Sequence, residues 1–259
     1  MRRLLFILVI TCFAFFSFTG DKNNKIKNDL SELNLNGKVK ILTEIEYKIL
    51  PNIGKIKEGD MLNKFIYSFN EKGNIIETNL YDPDDNLDGK YSYTYDNNKG
   101  NKTEMISYNP DGSKDESCTY KYDSKGNMIE EVWYNTDGKL SKKYRYKYDE
   151  KGNQIEMDRY EGRDSLICKD SYKFDDKGER IEWNHYNLSP PTDGSLSKKV
   201  IFKYDETGNM SVENIYLSDG NFESYTYKYV YAKKGNWKKE TIYKNGLPQY
   251  ITERKIKYY

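Results

Sequence analysis

Apolar and polar residues alternate with a period of two along most of the chain. YSF (67–69), YKYD (120–123), YRYKYD (144–149), SYKFD (171–175) and VIFKYD (200–205) are short aromatic and β-branched runs, each ending at a polar turn. That pattern predicts half-buried strands. The breaks between runs recur. Glycines of a [KT]-G-[NE] turn stand at 73, 100, 126, 152, 178, 208 and 235, separated by 27, 26, 26, 26, 30 and 27 residues. A fixed period of this length marks a repeat architecture. A tyrosine stands eight residues after every one of these glycines, from Tyr81 to Tyr243. All variation in period falls between that tyrosine and the next glycine, which assigns insertions to one end of the unit.

Each unit divides into two strands and two turns. In DSKGN (123–127), Asp at i and Gly at i+3 are the preferences of a type I turn followed by a left-handed residue, the three-residue hairpin loop with a G1 bulge. The second turn is written NPDG (109–112), NTDG (135–138) and LSDG (217–220), with KNG (244–246) as a shorter Asn-Gly form. Closing Asp123 on Asn127 puts Tyr122 opposite Met128, Tyr120 opposite Glu130, Cys118 opposite Val132, Lys121 opposite Ile129 and Thr119 opposite Glu131. Neither face is cleanly apolar in this pairing: one carries tyrosines and glutamates, the other lysines with Ile129 and Trp133. The expected fold is all-β, an antiparallel meander forming an extended, twisted or spirally wound sheet. Seven units, with degenerate strands at VKILTEIEYKIL (39–50) and ITERKIKYY (251–259), make about sixteen strands. Its two terminal strands would be exposed edges open to a partner strand.

Composition fits a thin repeat array. Apolar residues make up 36% of the 259 residues, and 26 are tyrosines. The mean hydropathy is −0.97, so there is little aliphatic material for a thick core. Charge is balanced at a formal +1, which gives no electrostatic reason to expect nucleic acid as a partner.

The first twenty residues differ from the rest. MRR followed by LLFILVITCFAFFSF is a short basic start and an apolar stretch, which reads as a secretory signal peptide. The alternatives that would tie the chain to a membrane are an uncleaved leader and lipidation at Cys12. The organisation is therefore 1–20 signal peptide, 21–59 an N-terminal segment with a degenerate first repeat, and 60–259 the array. The protein is expected to be exported. Of the remaining cysteines, Cys118 and Cys168 lie two repeats apart, roughly 19 Å in a plain meander at about 4.8 Å per strand. A disulfide needs Cα atoms within about 7 Å.

YKYDSKGNMIE, YKYDEKGNQIE, YKFDDKGERIE and FKYDETGNMSVE resemble the YD repeat of RHS proteins, whose consensus is close to YxYDxxGRL. The resemblance covers roughly residues 60–259 and implies repeats that wind into a shell of β-strands, enclosing cargo or forming a cell-surface element. Eight units are few for a large closed shell, so the open or spiral sheet stands as the expectation.

Candidate chemistry is sparse. His185 is the single histidine, so zinc sites and His-based nucleophile systems lack their parts. Glu77, Glu104, Glu130, Glu156 and Glu182 recur four residues after the first five of these glycines and are read as a ladder rather than as glycosidase acids. In DPDDNLDGK (82–90), Asp84, Asn86 and Asp88 reproduce the D-x-N-x-D-G opening of a calcium loop, with Tyr95 where the bidentate acid belongs. That segment and YNLSPPTDGS (186–195), stiffened by Pro190 and Pro191, read as enlarged turns at one end of the array and as partner contact points. The functional expectation is a non-catalytic exported module, structural or protein-binding, at the bacterial cell envelope or outside the cell. The alternative is a carbohydrate-binding module whose Tyr and Trp ladders, with Trp133 and Trp183, stack on a cell-surface glycan.

Overall fold

The computed structural model describes residues 28–50, 56–190, 194–232 and 234–259. Its strands are β1 (Val39–Leu50), β2 (Lys57–Phe69), β3 (Ile75–Tyr81), β4 (Leu87–Tyr95), β5 (Lys102–Tyr108) and β6 (Lys114–Tyr122). They continue as β7 (Met128–Tyr134), β8 (Leu140–Tyr148), β9 (Gln154–Glu161), β10 (Ser165–Phe174) and β11 (Arg180–Asn187). The last are β12 (Leu196–Tyr204), β13 (Met210–Leu217), β14 (Phe222–Tyr231), β15 (Trp237–Lys244) and β16 (Leu247–Tyr258). All sixteen form one antiparallel meander, and β1 pairs with β16, so the sheet closes into a barrel. The expected open or spiral sheet with free edges is thereby corrected. The two end strands are twelve residues each and match over nine positions, from Val39 opposite Tyr258 to Lys48 opposite Tyr250. Pairing them satisfies two rows of backbone groups that would otherwise template aggregation. An inward ion pair, Arg254 Nε to Glu44 Oε1 at 2.7 Å, lies on this seam.

The turn after each YD pair is built as its residues predict. The N–H of Asp123 donates to Asn127 O at 2.9 Å, and Gly126 N–H donates back to Asp123 O at 3.1 Å. The Asp123 carboxylate accepts from the backbone of Lys125 and Asn127. Gly126 has φ of 86°, where a side chain would be strained.

Directly after this turn comes a second irregularity that changes the pairing. Tyr122 faces Met128, but Lys121 faces Glu130, so Ile129 is an extra residue. From there on Tyr120 faces Glu131 and Cys118 faces Trp133, not Glu130 and Val132. The same shift occurs at the same place in all seven YD hairpins. A one-residue slip exchanges the faces of a strand. With it, the faces separate: Tyr120, Glu131, Trp133, Tyr144 and Tyr146 point inward, and Lys121, Glu130 and Arg145 point outward. Cys118, Met105 and Tyr67 on the inner face are almost wholly buried.

Tyrosine also joins one unit to the next. Pairing between units runs out before the YD turns, for example at Glu130 opposite Arg145. Beyond that point the hydroxyl of Tyr148 donates to Met128 O at 2.7 Å. Tyr95 to Ile75 O (2.6 Å), Tyr122 to Lys102 O (2.9 Å) and Tyr204 to Arg180 O (2.8 Å) repeat the bond. The carbonyl always belongs to the residue two after the preceding turn glycine. Phe174 occupies this position in its unit and has no hydroxyl to give. Tyr148→Phe is expected to cost about 1–3 kcal/mol by stranding a partly buried acceptor, while Phe174→Tyr should cost nothing and add up to about 1 kcal/mol. Urea denaturation midpoints of the two variants test this.

Candidate functional site

The seven YD turns ring one mouth of the barrel, and the N-terminal segment crosses that mouth. Asn28 caps the short helix α1 (Asp29–Glu32), accepting from Ser31 N–H at 3.0 Å while its own N–H donates to Ser31 Oγ at 3.2 Å. The Asn28 amide also donates to Lys72 O at 2.8 Å, and Leu30 N–H donates to Gly73 O at 3.1 Å, tying the segment to the β2–β3 turn. At the other side Asn34 donates to Thr207 O and to Asn209 Oδ1, at the β12–β13 turn. Asn36 and Asn236 exchange two bonds, 2.7 and 2.9 Å, at the β14–β15 turn. Leu30, Leu33 and Leu35 pack onto Val39, Leu42, Phe65, Tyr67, Phe69 and Leu80. Residues 28–37 are thus a strap over the mouth, held by side-chain amides at its rim and leucines on its underside.

Asp29 anchors the strap electrostatically. It is buried, and its Oδ2 accepts from Ile75 N–H at 2.6 Å and the Tyr95 hydroxyl at 2.8 Å. Lys102 lies 3.6 Å from its other oxygen. Burial works against the Lys102 ammonium, but the Asp29 carboxylate overrides it and holds the group above the usual lysine range.

Further inside, the wall combines tyrosines with buried charges. Glu131 is raised by burial, against which Trp133 Nε1 donates to it at 3.2 Å. Glu213 is raised in the same way and accepts from the Tyr227 hydroxyl at 2.8 Å. Burial pushes Glu240 up to about 7, opposed by the hydroxyls of Tyr229 and Thr252. His185 Nδ1 sits 2.6 Å from Asp170 Oδ1, so the single histidine is held by a buried carboxylate. Cys118 and Cys168, on β6 and β10, are free and buried. Burial raises both thiols, Cys168 to about 11, which keeps them as inert thiols rather than nucleophiles.

The outer face carries the glutamate ladder. Glu130 is bridged by Lys121 at 2.7 Å and Arg145 at 3.2 Å. Glu156 pairs with Lys147 and, at 2.6 Å, with Lys169. Glu182 pairs with Lys173 at 2.9 Å and Lys199 at 3.0 Å. Its amide and ammonium partners outweigh partial burial and hold it at about 2.

Asp84, Asn86 and Asp88 are exposed on the turn and the start of β4. The acceptor of their turn is Asp82, which takes the N–H groups of Asp84 and Asn86. Asp85 takes the left-handed conformation (φ 65°) that Gly112 and Gly138 take elsewhere. Residues 82–86 are therefore an ordinary second turn, not an enlarged one. The extra residue of that unit lies at the opposite end, in the Asp96–Asn101 turn closed by Asp96 N–H to Asn101 O at 2.8 Å. The 186–195 segment is longer, with Leu188 N–H bonded to Ile167 O at 2.8 Å. Pro191 lies outside the described residues, as do the leader and Cys12. Among the described residues no group of three or more His, Cys, Asp or Glu could hold a metal ion.

Sequence reasoning missed the strap and the inward charges. The Asn-Asp-Leu-Ser run at 28–31 is a capping pattern that signals a helix start. Nothing in the alternation alone reveals that Glu131, rather than Glu130, points inward.

No protein-family model and no curated protein matches the chain. Among solved structures, it is similar to a porin-like protein from Bacteroides uniformis, with TM-score 0.54 and 9% identity over 85% of this chain and 96% of that one. A porin-like protein from Bacteroides vulgatus aligns with TM-score 0.43 and 13% identity, covering 86% and 99%. The Photorhabdus luminescens Tc holotoxin pore aligns with TM-score 0.35 and 13% identity, covering 75% of this chain and 12% of that one. The first of these establishes likeness of fold, an all-β barrel.

Two outcomes test the interior. Asp29→Ala leaves the half-buried Lys102 and the Ile75 N–H without their shared acceptor and is expected to cost about 2–4 kcal/mol, with hydrogen exchange of residues 28–37 accelerating first. Glu240 binds its proton more tightly folded than unfolded. Its contribution is complete below about pH 4.5 and fades as pH rises through about 7, by up to about 3 kcal/mol. Glu240→Gln should flatten that part of the stability–pH curve.

Proposed function

We propose that the chain is a non-catalytic, exported β-barrel protein acting as a structural or protein-interaction module at the bacterial cell envelope or outside the cell, with its barrel standing in water. The observation that carries this reading is the polarity of the outer wall. A lipid-facing barrel presents an outward apolar band about 25 Å tall, and an Arg or Lys at mid-bilayer costs about 2–4 kcal/mol. Here the outward residues of three successive strands are Lys143, Arg145 and Lys147 on β8, Glu156, Asp158 and Tyr160 on β9, and Lys169, Ser171 and Lys173 on β10. The strap across one mouth likewise suits a closed body better than a conduit. The leader read in the sequence supplies the export.

The carbohydrate reading rests on open Tyr and Trp ladders, and several of those rings are covered by lysines. Lys142 and Lys198 lie over Trp133 and Trp183, 4.2 and 4.6 Å from the ring centroids. On the outside, Lys64, Lys90 and Lys143 cover Tyr81, Tyr108 and Tyr160 at 4.1, 5.1 and 4.8 Å. This favours a protein partner over a glycan. Calcium at Asp84, Asn86 and Asp88 keeps a simple test, since EDTA should leave the melting temperature unchanged if the turn is only structural.

The barrel is expected to leave envelope fractions with carbonate or salt, to stay monodisperse without detergent, and to give no conductance steps in planar bilayers. Dependence on detergent, or discrete conductance, would reverse the reading.

A further inference from the structure

The YD units repeat an outward arrangement that the fold alone does not require. Two residues before the turn aspartate stands a lysine: Lys121, Lys147, Lys173 and Lys203 on β6, β8, β10 and β12. The first three are 67, 66 and 66% exposed. Beside them the extra bulge residues Ile129, Ile155 and Ile181 stand outward, 38, 39 and 38% exposed. The glutamates beneath are already satisfied, each by two cations. Across the outer face of β6 to β12, eight cations, namely these four with Lys143, Arg145, Lys169 and Lys199, oppose four carboxylates, Glu130, Glu156, Asp158 and Glu182, and Lys143 is turned toward Asp164 at 3.7 Å. The face therefore keeps an uncompensated positive charge while the whole chain is almost neutral. Between the β6 and β8 members lies an open groove of about 560 Å³, lined by three cations, Lys121, Arg145 and Lys147, against two carboxylates, Glu130 and Asp158, with Ile129 and Tyr160 beside them.

Only the units of β6 to β11 combine the two residues. The equivalents of the exposed lysine are Ser68, Thr94 and Val230 on β2, β4 and β14, and those of the isoleucine are Ile76 on β3, Thr103 on β5, Ser211 on β13 and Lys238 on β15. The stripe is confined to one side of the barrel.

Resting on the reading of the chain as a protein-interaction module, we propose that this stripe is the docking surface for an extended acidic segment of a partner protein. Consecutive lysines are two strands apart and displaced by two residues along the strand. That is roughly 12 Å, or three to four residues of extended chain at about 3.3 Å each. A segment with a carboxylate every third or fourth residue would meet one lysine per unit and lay apolar side chains against the isoleucines. Charge complementarity selects an acidic partner. The covered ring of Tyr160, with Lys143 at 4.8 Å and Arg145 at 5.4 Å, removes the stacking platform a sugar would use.

The test uses the full barrel and a fluorescently labelled peptide with glutamate at every third position and leucine or valine between, read by fluorescence anisotropy. Binding should weaken at least tenfold in the Lys121→Gln/Lys147→Gln/Lys173→Gln variant and at least threefold between 50 and 300 mM salt. It should also weaken in the Ile129→Ser/Ile155→Ser/Ile181→Ser variant. Lys40→Gln, away from the stripe, should bind as the parent does, and unchanged melting curves certify that the variants are folded. Undiminished binding by the lysine variant, absence of binding by the parent barrel, or equal binding of a matched lysine peptide overturns the proposal. So does an anionic oligosaccharide that binds the stripe more tightly than the peptide. None of these results touches the detergent and conductance measurements that decide the broader reading.

Discussion

One extra residue after each YD turn decides which side chains the protein hides. The turn itself, with its aspartate acceptor and left-handed glycine, would let the two strands pair in simple register. The bulge at Ile129 and its equivalents moves that register by one, and every side chain beyond it changes face. Tyrosine, tryptophan and the second glutamate then share the inner wall, and lysine and the first glutamate share the outer. Without the bulge, the pairs Tyr120 with Glu130 and Thr119 with Glu131 would mix charge and aromatic surface on both faces, and neither could be buried.

The inner wall so made is unusual material for a core. Its aromatic rings remove apolar area from water, while the hydroxyls of Tyr95, Tyr122, Tyr148, Tyr204, Tyr227 and Tyr229 reach a backbone carbonyl or a carboxylate that would otherwise be stranded. This explains how a chain with 36% apolar residues and 26 tyrosines can build a closed barrel. The hydroxyls of Tyr95, Tyr122, Tyr148 and Tyr204 take over where the backbone ladder between units ends. The inter-unit joint is therefore partly a side-chain joint, and the unit can repeat without lengthening its strands. Aliphatic packing is concentrated in one place, where Leu42, Phe69 and Leu80 meet the leucines of the strap.

Much of this was legible in the sequence, for reasons of period. The strands, both turns, the count of about sixteen and the ladder of Glu130, Glu156 and Glu182 all follow from features that recur every 26 residues or so. What recurs only in three dimensions was not legible. The bulge carries no strict residue signature, since isoleucine holds it in four units and Thr103, Ser211 and Lys238 in the others. Closure depends on β1 and β16, the two strands least like the repeat, and their match across the seam is a property of both ends together. The turn at 82–86 reads as enlarged in the sequence because Asp85 adopts the conformation other units give to glycine, so the residue that marks the turn elsewhere is missing from it.

Likeness of fold to a porin-like protein raises the matter of which side of such a barrel meets which solvent. Strand number and closure are set by backbone pairing and are indifferent to polarity, so the same frame serves lipid or water according to its outward residues. In this chain the outward positions of three units hold a glutamate between two cations, Lys121 and Arg145 on Glu130 and a pair of lysines on Glu156 and on Glu182, and these cations stay partly hydrated. Such bridges contribute little stability apiece at an exposed surface. Their persistence in three consecutive units, against their absence from the units on either side, is thus poorly explained by folding. A surface that spends charge without gaining stability is more simply read as one shaped by what approaches it.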